Sequence, residues 1–174
     1  MVHSAVCAFA VTVISGACVW RGNTALETWQ FDAARATVRV QKFDEEPVMI
    51  LPQYVFVLQA SDTRPDHWRE IMSWRVNDPI PIQRKQVKRL DRNVVYAFGN
   101  WLYAVTTDGG VSWSRWDGKR HFRKSTFVLI KSVTMRSNGE GTMRVSYKPD
   151  PNTFAEQWLA TDDFGQHWTT DRNR

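Results

Sequence analysis

One eight-residue pattern occurs twice in the chain. Thr106-Thr107-Asp108-Gly109-Gly110-Val111-Ser112-Trp113 and Thr161-Asp162-Asp163-Phe164-Gly165-Gln166-His167-Trp168 both read T-x-D-x-G-x-x-W, and each follows an apolar run. The residue types specify a folded hairpin loop. The carboxylates of Asp108 and Asp163 can accept backbone N–H groups inside the turn, as Asx-turns do. Gly110 and Gly165 supply a positive φ that a Cβ would resist. Thr106 and Thr161 end the incoming strands with a hydroxyl able to bond the loop, and Trp113 and Trp168 return to cover the turn from the core side. None of these roles is chemistry on a substrate, so the octets are read as structural and not as catalytic or calcium-binding.

The rest of the chain is strand-rich. Thr37 to Phe43, Tyr54 to Gln59, Val94 to Phe98, Trp101 to Thr106, Ser112 to Trp116, Phe127 to Met135, Thr142 to Tyr147 and Gln157 to Thr161 are rich in Val, Thr and aromatics. They are bounded by Gly, Asn, Asp or Pro, which marks strands and turns. Gly99-Asn100 and the Ser137 to Gly141 stretch read as hairpin turns. One helix is expected: Pro65 and Asp66 open it, Trp68, Ile71 and Met72 fall at i, i+3 and i+4, and Asn77-Asp78-Pro79 closes it. Asp78 to Asp91 gives no clear pattern. Nine Trp, nine Phe and four Tyr in 174 residues are ample material for a core.

The repeated octet resembles the Asp-box, or BNR repeat, of sialidases, photosystem assembly factors and other β-propeller proteins. In those families the box is a structural element remote from the active site. The boxes lie 55 residues apart, from Thr106 to Thr161. A closed propeller needs at least four blades of roughly 40–50 residues, and this chain has room for about three. The expected fold is therefore mainly β: an antiparallel meander, partial propeller-like or sandwich, with two Asp-box hairpins and one short helix.

Residues 1–18 are read as a leader and 19–174 as a single domain. Ala5 to Ile14 is a short apolar stretch followed by Ser15, Gly16, Ala17 and Cys18. That order suits a secretory signal better than a membrane span. Small residues ending in Cys resemble a bacterial lipoprotein signal, which implies lipidation at Cys18 and a membrane-tethered periplasmic domain. Met1 to Ser4 lack the usual Lys or Arg, and the alternative is a buried N-terminal strand carrying Cys7 and Cys18 as inert thiols. From residue 19 on there is no cysteine, so disulfides cannot stabilise the domain.

The net charge of +5 is concentrated in the middle, where residues 61–124 carry 13 basic against 7 acidic groups. Arg84, Lys85, Lys88, Arg89 and Arg92 form one group; Lys119, Arg120, Arg123 and Lys124 form another. Such bands speed capture of acidic partners, and equally they protect strand edges from pairing. Edge protection is the preferred reading of the band; as a partner, an acidic protein is preferred to nucleic acid or anionic lipid. Arg84, Lys85, Lys88 and Arg89 are taken as contact residues, with Trp68 and Trp74 as anchors; for each Trp, core packing is the alternative.

Catalytic signatures are not found. His3, His67, His121 and His167 show no metal-site spacing, and there is no G-x-S-x-G, phosphate loop or G-x-G-x-x-G. Asp44-Glu45-Glu46 reads as a solvated turn before Pro47. The expectation is a non-enzymatic protein without cofactor or metal.

Residues 90 to 170 carry a narrower likeness. Val94-Val95-Tyr96-Ala97 through Trp116, Phe127 to Val133, the Asn138 to Gly141 turn and the closing Thr161-x-Asp163-Phe164-Gly165-x-x-Trp168 resemble the small lipoproteins encoded beside type VI secretion phospholipase effectors, which are immunity proteins. The resemblance implies a stoichiometric inhibitor whose partner is a cognate lipase toxin, blocked at its active site or lid. The other functions considered are an Asp-box assembly factor of an envelope complex and a carbohydrate-binding, sialidase-like remnant.

Overall fold

The structure, a computed structural model, describes residues 24–48, 51–61, 67–77 and 81–171. Among the described residues there are twelve strands: β1 (Glu27–Asp32), β2 (Thr37–Val48), β3 (Leu51–Ser61), β4 (Trp68–Val76), β5 (Val87–Arg89), β6 (Val95–Gly99), β7 (Leu102–Thr106), β8 (Ser114–Asp117), β9 (Val128–Met135), β10 (Gly141–Asp150), β11 (Thr153–Thr161) and β12 (Thr169–Thr170). They form three four-stranded antiparallel sheets of consecutive strands: β1 to β4 (sheet A), β5 to β8 (sheet B) and β9 to β12 (sheet C). The mainly β, antiparallel-meander expectation is met, with three meanders and no closed barrel among the described residues.

Sheet B is the middle layer, buried on both faces. On β6 and β7, Val95, Ala97 and Ala104 point into one apolar cluster with Val40, Phe56, Leu58 and Trp74 of sheet A. Tyr96, Phe98, Tyr103 and Val105 point the other way, into a second cluster with Ile130, Val133, Met143, Val145 and Leu159 of sheet C. Alternate side chains of a strand face opposite sides, so every residue of β6 is buried even though the strand still alternates. The A-facing side is small-residue and the C-facing side large. The small side leaves room for Trp74, whose ring lies against Gly99; a Cβ there would sit 2.5 Å from Trp74 Cδ2.

All eight expected strands appear with shifted ends, and four differences are instructive. The segment from Trp68 to Val76, expected as a helix, is strand β4. A bulge between Leu58 and Gln59 of β3 leaves Ile71 as the extra residue between Glu70 and Met72. Ile71 and Met72 are therefore both buried, which breaks the two-residue period and imitates helical spacing. Pro65, Asp66, Asp78 and Pro79 lie outside the described residues. The short helix is α1 (Gly118–His121), capped at its start by Asp117, whose side chain accepts from the N–H groups of Lys119 and Arg120. Asp44 and Glu45, expected in a turn, continue β2 instead, and Glu45 forms a two-pronged ion pair with Arg75 at 2.7 and 2.9 Å. The β6–β7 turn comprises Asn100, with φ 50°, and Trp101, one step later than the Gly99-Asn100 pair.

Candidate functional site

Both octets fold as hairpin loops with matching hydrogen bonds. In the first, Thr106 Oγ1 donates to Asp108 Oδ1 (2.8 Å) and accepts from Gly110 N (2.9 Å). The Asp108 carboxylate also takes Val111 N (3.1 Å), Ser112 N (3.0 Å) and Ser112 Oγ (2.6 Å). In the second, Thr161 Oγ1 donates to Asp163 Oδ1 (2.7 Å) and accepts from Gly165 N (2.9 Å). Asp163 further takes His167 N (3.0 Å), and His167 Nδ1 lies 2.6 Å from Oδ2. Gly110 and Gly165 have φ of 100° and 82°. The residue before each glycine is left-handed as well, Gly109 at 78° and Phe164 at 62°.

The two carboxyl groups share an electrostatic character. Burial acts to raise Asp108, but the bonds from Ser112, Thr106 and Val111 together outweigh it and hold the group down to about 2. Asp163 is likewise raised by burial and lowered more strongly by His167 and Thr161, again to about 2. A carboxylate receiving several donors stays ionised at low pH. With its donors supplied by its own loop, each Asp is committed to holding that loop closed.

Each box also joins one sheet to its neighbour. The β1–β2 turn of sheet A docks on the first box: Gly109 O accepts from Arg35 N (3.0 Å), and Cβ atoms at Gly109 and Gly110 would fall 2.8 and 2.7 Å from the Cβ atoms of Ala34 and Ala36. Trp113 donates Nε1 to Gly110 O (3.0 Å) and packs on the A–B cluster. The second box reaches sheet B, because Tyr103 donates its hydroxyl to Phe164 O (2.7 Å). Trp168 meets the Tyr103 ring edge-on at 5.3 Å. Burial raises the Tyr103 phenol far above its usual range, so it remains a donor.

The proposed contact residues fall in two different environments. Arg84 and Lys85 lie on a single 3-10 turn, Arg84–Gln86, and Lys88 and Arg89 on β5, the edge strand of sheet B; all four are exposed. Arg84 leans over Trp29 (5.5 Å) and Arg89 Nη1 donates to Asp32 O (2.8 Å), so these two also tie sheet B to sheet A. The two tryptophans differ in burial. Trp74 is 4% exposed and stacked on Phe56 at 5.5 Å. Trp68 is half-buried, with the Arg39 guanidinium 3.7 Å above its ring. Trp74 is packed in the core, as its alternative has it, whereas Trp68 belongs to none of the core clusters. Cys18 lies outside the described residues.

Sequence reasoning missed the exposed aromatics Phe127, 37% exposed, and Phe154, 62% exposed, whose rings meet edge-on at 5.6 Å. Among the described residues no group of three His, Cys, Asp or Glu is placed to hold a metal ion, and no helix is long and apolar enough to cross a membrane. Comparison with protein-family models, curated proteins and solved structures finds no match in any of the three.

Proposed function

We propose that this chain is a non-enzymatic binding protein, an immunity protein that captures a type VI secretion lipase toxin in the periplasm and blocks its active site or lid. The reading rests on the resemblance of residues 90 to 170 to that class. The observation that supports it most is the use made of the two boxes. Their polar groups close their own loops and join three sheets, giving a braced scaffold whose exposed cations flank both edges of the central sheet. A pre-organised surface loses little entropy on binding, and exposed cations speed encounter with an acidic partner. Tethering through a lipidated Cys18 would concentrate the protein at the membrane where a phospholipase acts.

Co-expression is the direct test. Cells making a periplasmic lipase effector from a neighbouring reading frame should survive when this chain is exported with it. Death at the same rate with and without the chain would refute inhibition. Loss of membrane fractionation in Cys18→Ala supports the anchor, and unchanged fractionation refutes it. A second reading, carbohydrate binding, is favoured by one feature. An open groove of about 520 Å³ on the outer face of sheet C is lined by Ser132, Thr134, Arg136, Thr142, Trp158 and Asp162, a polar set beside one aromatic. Binding on a glycan array that Trp158→Ala abolishes would favour it.

A further inference from the structure

Three ring contacts and a hollow make one continuous strip at the end of the stack opposite the boxes. Lys148 Nζ sits 4.4 Å from the centre of the Phe154 ring, Phe154 meets Phe127 at 5.6 Å, and Lys119 Nζ sits 3.5 Å over the Trp101 ring. Between Phe127 and Trp101 lies a hollow of about 230 Å³, walled also by Thr126, Val128 and Lys119. The strip is built from separated parts of the chain: the β6–β7 turn brings Trp101, α1 brings Lys119, and the β9–β10–β11 register brings Phe127, Lys148 and Phe154 together. Its backbone is pinned, since Gly118 N donates to Trp101 O (2.8 Å) and Lys148 N to Phe127 O (3.1 Å).

Two properties set this strip apart from the edge at β5. It pairs the exposed Phe154 and the partly buried Trp101 with lysines, whereas at the β5 edge Arg84 lies over the partly buried Trp29. Of the other large exposed apolar side chains, Val111 stands at the box end and Leu26 on the edge of sheet A. The adjoining residues add Arg120, Arg123 and Lys124, all exposed. Of the nearby carboxylates, Asp117 accepts from the N–H of Lys119 and pairs with Arg120 at 3.6 Å, and Asp150 accepts from the N–H of Asn152 and also faces Lys148, which gives one ammonium N–H to Pro151 O at 3.2 Å. An apolar cavity of about 150 Å³ already holds a benzene-sized group, so the hollow accepts one aliphatic or aromatic side chain. A lysine over an aromatic face still directs ammonium N–H donors outward.

We propose that the strip from Lys148 through Phe154, Phe127 and Trp101 to Lys119 is a docking surface for an acidic protein segment carrying an apolar side chain, which enters the hollow while its carboxylates pair with the flanking lysines. The inference deepens the reading of the chain as a toxin inhibitor and moves the anchor from Trp68 and Trp74 to Phe127 and Phe154. The central hollow favours a protein segment over a flat anionic membrane. Aromatic anchors in a partly desolvated pocket dominate affinity, and rim charges govern rate and salt dependence.

The test uses the isotope-labelled full chain and two synthetic peptides of about twelve residues, one with Asp and Glu around a central Phe, the other with Lys in their place. The acidic peptide should shift the Lys119 and Phe127 amides and the Trp101 indole, and should bind at least about tenfold more tightly than the basic one. Lys119→Glu with Lys148→Glu should reverse that preference, and Phe127→Ala with Phe154→Ala should weaken both peptides without changing the melting temperature. Shifts confined to β5, a preference the substitutions leave untouched, or stronger binding to phosphatidylglycerol vesicles than to the acidic peptide would each overturn the proposal. The survival assay separates it from the function. Protection retained by a variant combining Lys119→Glu, Lys148→Glu, Phe127→Ala and Phe154→Ala overturns the strip and leaves inhibition standing, whereas peptide binding without protection keeps the strip and refutes immunity.

Discussion

Replacing Asp108 by Ala removes the acceptor that organises the first box. Four donors lose it: Thr106 Oγ1, Val111 N, Ser112 N and Ser112 Oγ. They do not weigh equally. Val111 and Ser112 are exposed, so their N–H groups turn to water at little cost. Thr106 is 1% exposed, and its hydroxyl is left without that acceptor. An orphaned buried donor costs about 1–3 kcal/mol, and the remaining bonds contribute roughly another 1 kcal/mol after discounting for solvent. A loss of about 2–4 kcal/mol lowers the melting temperature by roughly 4–16 °C for a chain of this size. Calorimetry at neutral pH reads this directly. Hydrogen exchange reads its spread, since the Ala34 and Arg35 amides bond to Arg92 O and Gly109 O across the A–B junction and should lose protection. The folded carboxyl, at about 2, lies below its ordinary 3.8. Its contribution is therefore complete above pH 3.8 and is lost as pH falls through about 2, so wild type and variant should converge in acid. A melting temperature within about 1 °C of wild type at pH 7, or a gap that does not narrow in acid, would show that the carboxylate is not what holds the loop.

Further expectations follow from the same contacts. Gly99→Ala drives a Cβ to within 2.5 Å of the Trp74 ring and should cost about 1–3 kcal/mol in urea unfolding; combined with Trp74→Ala, the total should fall well short of the sum, because the clash disappears with the ring. Tyr103→Phe removes the bond to Phe164 O at 2.7 Å, which should cost about 1 kcal/mol and raise exchange in the second box while leaving the first unchanged. Burial pushes the Tyr96 phenol from 10.0 up to about 12; the neutral form is the one the fold prefers, so its contribution is complete below pH 10 and is lost as pH rises through 12, visible as unfolding that accompanies phenolate absorbance. Charge reversal at Arg84, Lys85, Lys88 and Arg89 should slow association with an acidic partner and flatten its salt dependence in stopped-flow measurements; an unchanged rate would leave those four as edge protection alone.

Local chemistry made part of this molecule legible in its sequence. The boxes were readable because their bonds close within a few residues: Thr106, Asp108, Gly110 and Ser112 need only one another to shape the loop. The strands of sheets B and C were readable for a similar reason, since their turns carry Asn100 and Gly139, residues that tolerate the positive φ found there. One further signal went unread. Glu27–Asp32 alternates half-buried and exposed side chains around Trp29 and Phe31, the period of a strand, and it forms β1.

Tertiary structure decided what depends on partners distant in the chain. Trp68 to Val76 becomes a strand because β3 pairs with it and a bulge absorbs the irregular spacing of Ile71 and Met72. A continuous apolar run such as Val95 to Gly99 does not say which neighbour each face meets; the packing sends Ala97 toward sheet A and Tyr96 toward sheet C. Whether an indole is core or surface is settled in the same way, so Trp74 is buried under Gly99 and Phe56. Phe127 and Phe154 become one exposed patch only through the register of three strands. Bonds that close within a turn are written in neighbouring residues, whereas the burial of a side chain belongs to whatever the fold lays against it.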